Sequence, residues 1–332
     1  MNDIITLDYG SGGSRTSKLI EEMLLPAFQN EQLSQLGDGA VLDLTGPLVF
    51  STDSFVVDPL FFPGGNIGKL AVCGTVNDLA MCGGTPKYLS LAFIIEEGLP
   101  VDDLRTIVAS IAETAAACGV TIVTGDTKVV ERGHGHGIYI NTSGIGQLTH
   151  PGLSPANLRE GDKVILSGTM GDHGTAVMLA RSGLLEGSEL KSDCMPLHRL
   201  AAAALETRGV RVLRDPTRGG VATTLNEFVE GTALTIELEE DALPVSDGVR
   251  AACDMLGLDP LYCANEGKLL AVVSPDKAED VLNALHSLPG GEHAAVIGTV
   301  TNRHPGRVVL NTFLGGGRVL SKLTGAQLPR IC

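Results

Sequence analysis

From residue 41 to residue 310, short apolar runs alternate with amphipathic ones, each cut off by glycine or proline. That alternation limits the chain to layered architectures of sheet and helix. "VLDLTGPLVFSTDSFVV" (41–57) predicts two short strands joined at Thr45-Gly46-Pro47. "GNIGKLAVCGTVNDLAMCGG" (65–84) predicts a helix entered at Asn66 and stopped by Gly83-Gly84. "KYLSLAFIIEEG" (87–98) predicts a buried strand. "VDDLRTIVASIAETAAACG" (101–119) predicts an amphipathic helix with Leu104, Val108, Ile111 and Ala115 on one face. Strands are expected again at 120–130 and 137–148.

In "THPGLSPANLREGD" (149–162) proline, glycine and polar residues cluster, which sets the expected boundary between a domain 1–150 and a domain 151–322. The second half predicts strands at 163–168 and near 233–238, 268–273, 294–300 and 307–310. Its helices are expected near 173–182, 196–207, 246–257 and 276–287, with another beginning around 217. The order is not a strict βαβ series. The expected fold class is therefore α+β, two α/β-layered domains, rather than a doubly wound nucleotide fold. Residues 323–332, ending "LPRIC", have no periodicity and read as a mobile tail carrying Cys332.

The length of 332 residues suits two domains of about 150 residues each. A net charge of −15 opposes nucleic acid, whose phosphates it would repel, but leaves room for a nucleotide carried with Mg²⁺. The seven cysteines include no CxxC pair, and several sit in apolar stretches such as "LAVCGT". They read as small hydrophobes in a reducing cytoplasm rather than as a disulfide framework. "MNDIITLDYG" lacks the basic and apolar regions of a signal peptide, and no apolar run reaches 18 residues, so no membrane span is expected.

Aspartates recur among glycine and threonine: Asp38 in "LGDGA", Asp53 in "STDSF", Asp78 in "VNDLA", Asp126 in "TGDTK" and Asp215 in "RDPTRGG". Each alone is open to a second reading as a turn or helix cap. Asp78 is the exception, because it lies with Asn77 inside an apolar helix, where a carboxylate is costly unless paired or metal-bound. As a set they suit Mg²⁺, a hard cation that prefers carboxylate and phosphate oxygens. "DYGSGGSRTSKLIEEML" (8–24) feeds a Gly/Ser loop into a helix whose first N–H groups suit a phosphate. It is neither a P-loop nor a GxGxxG fingerprint.

Lys128 lies two residues after Asp126, on the same face of an extended chain, where it can neutralise charge on a phosphate. Glu266, at the mouth of a buried strand, suits a general base. Both remain open as a surface lysine and a turn carboxylate. His134 and His136 read as a solvated hairpin tip, and His173 as a loop or cap residue.

These stretches resemble the family of ATP-using enzymes that includes aminoimidazole ribonucleotide synthase, selenophosphate synthetase and thiamine-monophosphate kinase. The carrying motifs are "YGSGGSRTSKLI", "LGDGAVL", "STDSFVVDPLFFPGGNIGKLAVCGTVNDLAMCGG", "VTGDTKVV", "DPTRGGVATTLNE", "ANEGKLL" and "PRIC". "DYGSGGSRT" has no cysteine, unlike the corresponding loop of a selenophosphate synthetase, and the thiol stands at the other end of the chain. The set is most similar to the members that serve NiFe hydrogenase maturation.

The resemblance implies two α+β domains of the aminoimidazole ribonucleotide synthase-like type, with the N-terminal domains of a homodimer sharing a β-barrel and ATP held near that interface. It implies Asp38, Asp53, Asp78, Asp126 and Asp215 for Mg²⁺, and Gly12, Gly13, Lys69, Asn77, Gly125, Asp126 and Thr127 for the nucleotide. Cys332 would receive a carboxamide from the carbamoyltransferase HypF. The chain would dehydrate it to a thiocyanate with ATP and pass cyanide toward iron on the HypC–HypD complex. Lys128 and Glu266 would stabilise charge and remove protons, in an order the sequence leaves open. A nucleotide-regulated carrier of cysteine-bound cargo, and an enzyme of the selenophosphate synthetase type, remain the alternatives.

Overall fold

The computed structural model describes residues 3–184 and 188–323. After the Gly/Ser loop come two short helices, α1 (Ser14–Leu19) and α2 (Leu25–Phe28), joined through a π-turn at Ile20–Leu24. Strand β1 (Leu48–Phe55) follows, then a two-residue pair, β2 (Phe61–Phe62) with β3 (Gly65–Asn66). Helix α3 (Ile67–Met81) leads to β4 (Gly84–Glu96), helix α4 (Val101–Cys118), β5 (Thr121–Val130) and β6 (Ile138–Leu148).

The four long strands form one sheet in the order β1-β6-β4-β5, with β4 and β5 parallel across α4 and the other neighbours antiparallel. Its burial alternates strictly along β1: Val49 and Phe55 are buried toward the helices, whereas Leu48 and Phe50 are exposed on the opposite face. Helix α4 turns its Leu104, Val108, Ile111 and Ala115 stripe inward and ends at Gly119, whose φ of 68° lies in the left-handed region glycine tolerates. Helix α3 is buried on nearly every side, because the sheet, α4 and the second domain all pack on it.

The two strands expected within 41–57 are one. Residues 36–47 form no strand, and Val41 is 90% exposed, with no neighbouring strand to satisfy its backbone. The histidine turn at 134–136 is not a hairpin tip either. β5 and β6 are separated by β4, so the segment is a crossing connection. It is held by Glu96, whose carboxylate accepts the N–H groups of Gly133 and Gly137 at 2.6 and 2.9 Å.

The second half runs β7 (Lys163–Leu166), α5 (Asp172–Ser182), α6 (His198–Glu206), β8 (Val210–Arg214), α7 (Gly220–Val229) and β9 (Thr235–Glu239). It continues with α8 (Asp247–Leu256), β10 (Leu270–Val273), α9 (Ala278–His286), β11 (Ala295–Thr301), β12 (Arg307–Asn311) and β13 (Gly317–Leu320). The strands order as β13-β12-β9-β11-β7-β10-β8, antiparallel except for β12 beside β9. β8 and β13 escape the sequence pattern, being short edge strands.

Side chains on one face of this sheet, such as Leu166 and Val212, pack on Val221, Leu225 and Phe228 of α7. Those on the other face, such as Ile165 and Val273, pack on Leu200 and Ala204 of α6 and Val281 and Leu285 of α9. The mixed content is α+β, in two layered units. Ala80 and Met81 of α3 enter the second unit's core, and Val177, Met178, Cys194 and Ala264 enter the first's, so the seam between them is itself a core.

Candidate active site

Helix α3 starts where the Asn66 side chain accepts the N–H groups of Gly68 and Lys69 at 2.8 and 3.1 Å, a cap that leaves the rest of the helix free to be apolar. Asp78, on its last turn, accepts the Ser51 hydroxyl at 2.6 Å. Asp53 stands two residues along the same face of β1, and its carboxylate lies close to Gly74 of α3. From the second domain, Asp215 follows β8 and Glu266 precedes β10, both buried.

Burial raises the Asp78 pKa, and the Asp53 charge adds to it against the Ser51 bond and Arg214. Burial, then Asp78, pushes Asp215 up to about 7, with Asp53 contributing. Burial, then Cys194 and the charges of Asp215, Asp193 and Asp53, pushes Glu266 well above the usual carboxylate range. Four carboxyls thus crowd the domain seam with too little positive charge to balance them.

The remaining predicted residues lie elsewhere. Asp126 and Lys128 sit on the open face of the sheet, joined by a 2.8 Å ion pair that lowers the Asp126 pKa. Gly125 is directly across from Leu91, and Thr127 is buried on the helix side. With Gly12, Asp126, Thr127 and Lys128, Gly125 lines a cavity of about 220 Å³ whose remaining walls include Leu24, Phe28, Leu91 and Phe93. Gly13 precedes α1, and Gly12 donates its N–H to Thr16 Oγ1 at 3.0 Å. Lys69 donates to the Gly64 carbonyl at 3.0 Å. Asp38 is exposed in the 36–47 segment, with no hydrogen bond or ion pair among the described residues. Cys332 lies outside the described residues.

Asn77 faces the other domain. Its Oδ1 accepts the Leu197 N–H at 2.7 Å and its Nδ2 donates to the Met195 carbonyl at 3.2 Å, which ties α3 to the segment before α6. His173 is not a cap, since Gly171 holds that position. It is fully buried on α5, with Nδ1 at 2.8 Å from Ser192 Oγ and its ring edge-to-face with Phe62. Burial lowers its pKa to about 4.

Two charged residues were not anticipated. Asp193 and Lys268 form an ion pair at 3.1 Å, with side chains 4% and 8% exposed, directly behind Glu266. Asn265, fully buried, accepts the Gly171 N–H at 2.7 Å and donates to the carbonyls of Pro216 and Cys263, so it fastens three loops around the same spot. The polar run Asn265–Lys268 ahead of an all-apolar strand was a signal for this cluster. Asp193, in a segment without periodicity, gave none.

Residues 36–148 match the family model for the N-terminal domain of AIR synthase related proteins, and residues 159–311 match that for the C-terminal domain. The chain belongs to this family of AIR synthase related proteins. It is 49% identical to the carbamoyl dehydratase HypE of Azotobacter vinelandii, over all of this chain and 98% of that protein. A crystal structure of hydrogenase maturation protein HypE in complex with ATP superposes with a TM-score of 0.94 at 50% identity, covering 98% of this chain and 99% of that one. A chain of a HypE–HypF complex superposes at 0.80 with 48% identity, covering 92% and 99%. Within the family, the chain belongs with the carbamoyl dehydratase HypE proteins.

Proposed function

We infer that the chain is the ATP-dependent carbamoyl dehydratase of NiFe hydrogenase maturation, converting an S-carboxamide on its own Cys332 into a thiocyanate. The observation that carries this is the 49% identity to a carbamoyl dehydratase over all of this chain and 98% of that protein. HypF loads the thiol, and the HypC–HypD complex receives the cyanide group. Domains 1–150 and 151–322 enclose the reaction, and residues 323–332 deliver the cysteine to it. Six free thiols among the described residues accord with a reducing cytoplasm.

The chemistry follows from the leaving group. The carboxamide oxygen of R–S–C(=O)–NH₂ attacks the γ-phosphate of ATP, and ADP departs. Loss of one N–H proton gives the phosphorylated imidate. Loss of the second, with departure of phosphate, gives R–S–C≡N. The residues fit a Mg²⁺ ion, because burial raises the pKa of both Asp78 and Asp215, and a neighbouring carboxylate adds to each: Asp53 to Asp78, and Asp78 to Asp215. Among the described residues no three His, Cys, Asp or Glu could enclose a metal by themselves. That matches an ion held by one or two carboxylates plus phosphate oxygens. Asp78 and Asp215 would hold it, with Asp53 beside them, and Asp126 and Asp38 assigned by resemblance alone. Bound there, Mg²⁺ supplies charge neutralisation at the transferring phosphate.

Glu266 is the base that removes the N–H protons. Burial raises its carboxyl pKa well above the usual range, which makes the carboxylate a stronger proton acceptor. Lys128 spreads phosphate charge. Gly12, Gly13, Lys69, Gly125 and Thr127 are the nucleotide contacts, and the apolar cavity beside Gly125 suits the base of ATP. Two copies pair through the open sheet face, where Leu48, Phe50 and Ile94 are 46%, 66% and 44% exposed.

The test is mass spectrometry of protein S-carbamoylated at Cys332 and incubated with Mg-ATP. Loss of the mass of one water from the C-terminal peptide is the expected result, and an unchanged mass with ATP bound would overturn the reading in favour of a carrier. Cys332→Ala abolishes product while ATP binding persists.

A further inference from the structure

The loop that carries Glu266 is gripped by one side chain. Asp193 accepts the Glu266 N–H on Oδ1 at 3.1 Å and the Gly267 N–H on Oδ2 at 3.2 Å. The same Oδ2 takes the Lys268 ammonium at 3.1 Å. Three consecutive residues thus converge on one buried carboxylate, as successive backbone N–H groups do around a bound anion. The fit leaves no slack. A Cβ on Gly267 would stand 1.8 Å from the Asp193 carbonyl oxygen. The Met195 N–H completes the ring by donating to the Glu266 carbonyl at 3.3 Å.

The other end of this segment is held from the first domain. Asn77 takes the Leu197 N–H and donates to the Met195 carbonyl. Residues 193–197 are therefore a strap fastened at one end to α3, next to Asp78, and at the other to the Glu266 loop.

We propose that Asp193 is a positioning residue for the dehydration, holding Glu266 through the 193–197 strap at a set distance from Asp78, so that proton removal and phosphoryl transfer act on one carboxamide. This rests on the reading of Glu266 as the base. Asparagine cannot replace the aspartate, because its amide keeps one acceptor and turns an N–H₂ toward the donors that Oδ2 had satisfied. The Glu266 backbone then loses part of its clamp, and a shift of about 1 Å in a catalytic group costs on the order of a hundredfold in rate.

The test is a double-mutant cycle on the full chain, with Cys332 converted to its S-carboxamide by cyanate and conversion to thiocyanate followed by mass at saturating Mg-ATP. Asp193→Asn is expected to lower the rate on the order of a hundredfold with the KM for ATP unchanged. In a Glu266→Gln background the same change costs nothing further, since a residue acting through Glu266 has nothing left to position. Asp193→Asn strands Lys268 without its counter-charge, so Asp193→Asn/Lys268→Met is measured beside it and shows the same loss. Two losses that add fully overturn the proposal, and so does a normal rate in the paired variant. A normal rate in Glu266→Gln alone overturns instead the assignment of the base, and the two failures are told apart by that single variant.

Discussion

Replacing Asn77 with leucine separates a role at the domain seam from a role at the nucleotide. Asn77 is 1% exposed, and its amide satisfies the Leu197 N–H at 2.7 Å and the Met195 carbonyl at 3.2 Å. Leucine is close to asparagine in reach, so the space stays filled while both backbone groups lose their partners. A buried donor or acceptor left unpaired costs about 1–3 kcal/mol. Two of them, less the gain from burying an apolar side chain, give a net loss of about 0.5–3 kcal/mol. For domains of this size that lowers the thermal midpoint by about 1–12 °C. Scanning calorimetry reads the midpoint, and titration calorimetry at a temperature where the variant is folded reads ATP binding. The expected outcome is a lowered midpoint with unchanged affinity. An unmoved midpoint with lost affinity would refute the reasoning and return Asn77 to the nucleotide site that resemblance assigns it.

Asp78→Asn relieves the repulsion from Asp53 and Asp215, so its thermal midpoint holds or rises while Mg²⁺-dependent turnover falls on the order of a hundredfold; normal turnover removes Asp78 from the metal set. His173 has a folded pKa of about 4 against 6.5, so its contribution is complete above pH 6.5 and is lost as pH falls toward 4. The free energy of unfolding, followed by denaturant titration from pH 7 to pH 4, should therefore fall by up to about 3 kcal/mol less in His173→Gln than in the parent. Gly125→Ala puts a Cβ 2.3 Å from the Leu91 carbonyl oxygen and forces β5 off β4, so both midpoint and ATP affinity drop; an unmoved midpoint contradicts that close approach.

The four-stranded sheet divides the charged residues in a way that bears on the reaction. Asp53 and Asp126 stand on opposite edge strands, three strand spacings or about 14 Å apart. Register also puts them on opposite faces: Asp53 pairs with Thr142, Leu91 and Gly125, whereas Asp126 pairs with Ala92, Asn141 and Ser54. Glu266 belongs to the helix side and Lys128 to the open side. Charge stabilisation by Lys128 and proton removal by Glu266 therefore do not converge within one chain as it stands. A second copy seated on the open face would cover Phe50 and Ile94.

What the sequence made legible follows from how locally each feature is determined. The strands and helices of the first domain were readable because Asn66, Gly83 and Gly119 punctuate them and the stripe of α4 has a clear period. The segment 41–47 misled because an apolar, β-branched run predicts a strand whether or not a neighbour exists to pair with it. Asp78 stood out because a carboxylate in an apolar helix is anomalous by itself. Asp193 could not. Its partners Glu266, Gly267 and Lys268 lie 73 to 75 residues further along, and a residue whose task is to hold another carries no spacing of its own. Only the fold joins them, by pinning residues 193–197 between Asn77 and the entry to β10. The groups proposed for the chemistry were therefore nameable from composition and motif, and the groups proposed to fix their geometry were not. That is why loss of Asp193 is the sharper test of the site: no motif assigned it, so its effect reports on the arrangement alone.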